Sequence, residues 1–129
     1  MYPSAYRQRA NQYASIQATS HVDDASPHQL IQMLMEGLIS RINAAKGAIE
    51  QHDFEAKSIF ISKAIGIVGG LNEAIDKKQG GVIAENLSDL YAYMSTRLLL
   101  ASAENSIEKL NEVASLMREV KSAWDAIKS

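Results

Sequence analysis

Residues 26–49 read SPHQLIQMLMEGLISRINAAKGAI, and the fold follows from that stretch. Ile31, Leu34, Leu38, Ile42, Ala45 and Ile49 recur at steps of 3 and 4, which places them on one face of a helix. Ser26 suits the N-cap. Pro27 suits the first helical position, where its missing N–H costs nothing. Gln51, His52 and Asp53 interrupt the pattern, and Asp53 is placed to cap a second helix.

The same period continues toward the C-terminus. Phe60, Ala64, Val68, Leu71 and Ile75 form a second stripe, predicting a helix from about Phe54 to Lys78. Lys77 and Lys78 would complement its dipole, and Gly80-Gly81 would stop it. Ile83, Leu87, Leu90, Met94, Leu98 and Ala101 define a third helix from near Val82. Asn105 or Ser106 would cap a fourth, striped by Leu110, Val113, Met117, Val120, Trp124 and Ile127. Four helices with short connections predict an all-α fold, an antiparallel up-down four-helix bundle. Neither proline lies beyond position 27, so nothing of that kind breaks the predicted helices.

Ahead of the bundle lies a segment of different character. Residues 1–22 carry Arg7 and Arg9 and no acid, whereas residues 23–129 hold 11 bases against 15 acids. Tyr2, Tyr6, Ala10, Tyr13 and Ile16 fall within an arc of about 120° on a helix. The expected organisation is an N-terminal arm or short helix over residues 1–24 and a bundle over 25–129.

Composition narrows the function classes. With 129 residues there is room for one domain. No cysteine is present, which excludes disulfides and thiolate metal sites. A net charge of -2 argues against a nucleic-acid binder. No apolar run is long enough to span a bilayer, and two arm charges give only weak membrane attraction. The N-terminus shows no apolar stretch of the secretory type, so a cytoplasmic location is expected.

Catalytic chemistry finds little support. His21, His28 and His52 form no metal-binding pair and read as solvated residues. Glu104, Glu108 and Glu112 form an i, i+4, i+8 row that reads as a solvated face. Gly80-Gly81 lacks the lysine and spacing of a phosphate loop. No enzyme activity, cofactor or metal is expected. Two features point to binding instead. Gly37, Gly47, Gly66, Gly69 and Gly70 lie inside helices, where each costs roughly 1 kcal/mol against alanine. They serve either close packing of the chain's own helices or a groove for a foreign one. Leu30, Met33, Met35, Ile39, Ile59, Ile61, Ile67, Leu99, Leu100 and Leu116 exceed what one stripe per helix needs, and uncovered apolar surface marks interaction sites.

Several ordered motifs carry a family resemblance: Ala25-Ser26-Pro27-His28-Gln29-Leu30-Ile31, Met33-Leu34-Met35-Glu36-Gly37 and Lys63-Ala64-Ile65-Gly66-Ile67-Val68. Gly80-Gly81-Val82-Ile83-Ala84, Asn86-Leu87, Leu90-Tyr91-Ala92-Tyr93-Met94, Glu112-Val113 and Ala123-Trp124 continue it over nearly the whole chain. In these the sequence resembles the flagellar secretion chaperones of the FliS family. Three departures stand out: the family usually has an acid at Val82, often one at Ala92, and an aromatic-acid pair at Met35-Glu36.

The resemblance implies a bundle that clamps the disordered C-terminal segment of flagellin, prevents its premature polymerisation and delivers it to the flagellar export gate. It gives the N-terminal tyrosines a part in this, Tyr13 above all. Tyr6 and Tyr13 in the arm, Met33 on the first helix, and Asn86, Leu87, Tyr91 and Met94 on the third are the candidate flagellin contacts. Tyrosine is a common interface anchor and methionine an adaptable one. Asn86, polar beside an apolar stripe, could bond peptide backbone. The alternative function is a general helical adaptor or regulatory module of the flagellar system.

Overall fold

The computed structural model describes residues 24–127, with side chains of residues 77–79 outside the description. Four helices follow one another: α1 Pro27–Glu50, α2 Phe54–Glu73, α3 Lys77–Glu104 and α4 Ile107–Ala126. Among the described residues there is no strand. The predicted arm, including Tyr2, Tyr6, Tyr13 and Ile16, lies outside the described residues.

Local chemistry sets the helix ends. The Gln29 backbone N–H donates to Ser26 Oγ at 3.1 Å, and the Ser26 N–H donates back to Gln29 Oε1 at 2.8 Å. This reciprocal box fixes the start of α1 at Pro27. At the other end His52 takes a left-handed φ of 57°. Its N–H reaches Ile49 O at 3.0 Å, and the next N–H, of Asp53, reaches Ala48 O at 2.8 Å. The pair satisfies carbonyls that would otherwise be orphaned. Asp53 then caps α2 by accepting the Ala56 N–H. Asn105, at φ 52°, repeats the left-handed stop after α3, and Ser106 caps α4 by accepting from the Lys109 N–H.

The junction between α2 and α3 departs from the sequence expectation. α2 ends at Glu73, not Lys78, and Gly80-Gly81 is not its stop. Gly66, Gly69 and Gly70 weaken the last turns of α2. The Ala74 N–H bonds Gly70 O, and the Ile75 N–H already turns to Asn72 O. Lys77–Gly80 form a separate first turn of α3, and Gly81 kinks the helix with φ 56° and ψ -130°.

Five contacts give the topology. A Cβ placed on Gly37 of α1 would lie 3.5 Å from Ile67 Cδ1 of α2. Ser88 Oγ of α3 donates to Asn72 Oδ1 of α2 at 2.8 Å, while Lys57 Nζ of α2 donates to Ser102 O of α3 at 2.7 Å. Arg97 of α3 pairs with Glu112 of α4. Gln32 of α1 reaches Asp125 of α4. In each case an early part of one helix meets a late part of the other, so the bundle is antiparallel and up-down.

The predicted stripes form the interior. Leu38, Ile42, Ala45 and Ile49 are buried on α1, and Ala64, Val68 and Leu71 on α2. Met94, Leu98 and Ala101 follow on α3, and Leu110, Val113 and Met117 on α4. Met35 and Ile61, read as surplus, belong to this core. Ile83, read as core, is 79% exposed beyond the Gly81 kink. No described helix is long and apolar enough to cross a membrane.

Candidate binding surface

Helix α3 presents two faces with opposite roles. Ala84, Leu87, Tyr91, Met94, Leu98 and Ala101 follow one another at steps of 3 and 4 on the inner face. Asn86, Tyr93 and Leu100 repeat every seven residues on the outer face, and all three are exposed. The candidate contacts named from sequence mix these faces. Asn86 is exposed and Leu87 half-buried. Tyr91 and Met94 are core residues, with Tyr91 only 2% exposed, and burial pushes its phenol up to about 12. They are therefore not surface contacts in this conformation, because the heptad spacing that made them conspicuous also turns them inward. Met33 is half-buried on α1. Tyr6 and Tyr13 lie outside the described residues.

Apolar surface remains uncovered. Ile59 on α2 and Val82, Ile83, Tyr93, Leu99 and Leu100 on α3 are exposed, Leu99 to 61%. The helix glycines divide clearly. Gly37 faces Ile67, but a Cβ at Gly47, Gly66, Gly69 or Gly70 would meet nothing within 4 Å. Packing among the described residues thus accounts for one of the five, and among them α2 carries an open, side-chain-free strip at Gly66 and Gly69.

A polar cluster missed by sequence reading joins α3 to α4. Tyr93 Oη donates to Glu112 Oε2 at 2.5 Å, and Arg97 Nε donates to Glu112 Oε1 at 2.7 Å. The Arg97 guanidinium also lies 5.8 Å from the Tyr93 ring centroid. The bond from Tyr93, and then Arg97, holds the Glu112 carboxyl below its usual range. The same bond raises the Tyr93 phenol. Glu112 is therefore a bridging residue, unlike the solvated row in which its spacing placed it. The signal was available in Tyr93 and Arg97, an i, i+4 pair with complementary chemistry.

Among the described residues no group of three or more His, Asp or Glu side chains is arranged to hold a metal ion. His52 is exposed and meets the Phe54 ring edge-on at 5.8 Å. The features that remain are an apolar outer surface and open backbone, which suit binding of another chain.

A family profile described as "Flagellar protein FliS" matches residues 9–129. The chain belongs to the FliS family. The flagellar secretion chaperone FliSB of Pseudomonas aeruginosa is 48% identical over 116 residues, covering 90% of this chain and 92% of that protein. The flagellar secretion chaperone FliS of Salmonella typhimurium is 44% identical, covering 89% and 86%. That of Bacillus subtilis is 32% identical, covering 88% and 84%. The departures from the FliS pattern now have places. Val82 and Ala92, where the resemblance implies acids, are exposed. Met35, where the resemblance implies an aromatic side chain, is core, while Glu36 beside it is exposed.

Proposed function

We propose that this chain is a cytosolic export chaperone that binds the disordered C-terminal segment of its organism's flagellin. The observation that carries the proposal is the uncovered apolar surface of α2 and α3 in a member of the FliS family. Flagellin's terminal segments are apolar because they build the filament core. Ile59, Tyr93, Leu99 and Leu100 offer matching surface, and Gly66 and Gly69 leave room for a close helix. Asn86 and Leu87 adjoin this surface, and Met33 offers an adaptable contact on α1. Tyr6 and Tyr13 in the arm complete the proposed contact set.

The chemistry is coupled folding and binding. The cargo gains apolar burial and loses chain freedom, and no bond is made or broken, so the protein acts without catalysis, cofactor or metal. Masking one terminus blocks polymerisation and keeps the chain fit for flagellar type III secretion, with handover to the export gate. The role requires neither nucleic acid nor stable membrane attachment.

The test is seeded flagellin polymerisation followed by light scattering. Equimolar chaperone suppresses growth of full-length flagellin. A flagellin lacking its C-terminal segment loses association with the chaperone in gel filtration. Undiminished polymerisation and no complex would leave the helical-adaptor reading in its place.

A further inference from the structure

Gly81 has φ 56° and ψ -130°, a region open to glycine and closed to other residues. The kink also fixes its neighbour: a Cβ on Gly80 would lie 2.5 Å from Ala84 Cβ. In an unbroken helix residues four apart keep their Cβ atoms about 5–6 Å apart. Only the kinked form therefore needs glycine at both positions.

Beyond the kink, α3 is poorly anchored for two turns. Of residues 80–86, Ala84 alone is buried. Val82 and Ile83, the two large apolar side chains there, project into solvent. The break at Gly81 also creates a second helix start, whose first N–H groups have no intrahelical acceptors. The next firm tie is the Ser88–Asn72 hydrogen bond to α2. From there on, Tyr91, Met94, Leu98 and Ala101 pin the helix to the core.

We infer that residues 80–87 form a strap, hinged at Gly80-Gly81 and stopped by the Ser88–Asn72 bond, that opens while the rest of the bundle stays folded. Local openings start where few apolar groups are buried and backbone bonds are exposed. Ala84, Leu87 and Tyr91 share one helix face, so lifting the strap uncovers Leu87 and opens the core toward Tyr91. The strap thereby gives a binding partner access to residues that the closed bundle hides. The opening itself is a property of the free protein and stands apart from the cargo proposed above.

Hydrogen exchange by NMR on the free full-length chain, in increasing urea below the unfolding transition, tests the strap. The Asn86, Leu87 and Ser88 amides should exchange about 100-fold faster than those of Met94–Leu98, with little urea dependence. Ser88→Ala, which removes the stop, should carry fast exchange inward to Tyr91. Two results would overturn the inference. One is exchange at residues 86–88 with the same urea dependence as at 94–98. The other is an exchange boundary that Ser88→Ala leaves in place, since ordinary fraying of a helix end needs no stop.

Discussion

Lys57 near the start of α2 places its Nζ 2.7 Å from the backbone carbonyl of Ser102, in the last turn of α3. The lysine is buried, and its ammonium also stands 5.8 Å from the Phe54 ring centroid. A cation at a helix C-terminus meets the negative end of the dipole and satisfies an orphan carbonyl. This contact fixes the register of α2 on α3. Lys57→Met keeps the stem but leaves the carbonyl unpaired, and should cost about 1–3 kcal/mol. Urea unfolding should show a lower midpoint with an unchanged slope.

The Tyr93–Glu112–Arg97 cluster gives the bundle a pH dependence. Glu112 has a lowered folded pKa. Its stabilisation is therefore full above the ordinary carboxylate range and is lost as pH falls through the lowered folded value. Tyr93 is shifted upward, so its contribution is present below the ordinary phenol range and disappears as pH rises through the raised value. Glu112→Gln should make both limbs of the melting temperature against pH shallower, and Tyr93→Phe the alkaline limb and part of the acid one, while the raised Tyr91 phenol keeps some alkaline dependence in both variants.

The glycines separate into two classes by substitution. Gly66→Ala and Gly69→Ala enter open space in a helix interior and should each stabilise the protein by about 0.5–1 kcal/mol. Both should weaken flagellin binding, because the added methyl groups occupy the strip proposed for a close helix. Gly80→Ala and Gly81→Ala should destabilise, the first by collision with Ala84 and the second through its positive φ. Thermal melts and peptide titrations of the four variants check the sorting.

The interior offers a calibrating prediction. Leu98 and Leu110 are fully buried on adjacent helices. Leu98→Ala and Leu110→Ala should each cost about 2–5 kcal/mol in urea unfolding. Leu99→Ala removes a side chain that is mostly in water, so it should leave stability nearly unchanged while lowering cargo affinity.

Much of this fold was legible because helix period and capping chemistry are local. Ser26, Asp53 and Ser106 cap where their sequence positions place them, and most stripe residues are buried. The α2–α3 junction was misread because Gly80-Gly81 can either stop a helix or bend one, and only the tertiary setting decides. The candidate contacts were partly legible. Asn86 and Leu87 are exposed or half-exposed, whereas Tyr91 and Met94 follow the core period and are hidden. Lys57 was invisible as a site, because its partner Ser102 lies on another helix, whereas the Glu112 cluster could be read only from its α3 half, the Tyr93–Arg97 pair.

Under the proposed function, the apolar surface of this bundle serves flagellin. Calorimetric titration of the full-length chain with the C-terminal segment of its organism's flagellin tests it most directly. One-to-one binding with a negative heat-capacity change is expected, as apolar burial with coupled folding requires. Leu99→Ala should form a weaker complex at unchanged stability. Absence of heat and of any complex with the well-folded wild-type chain would contradict the proposed function.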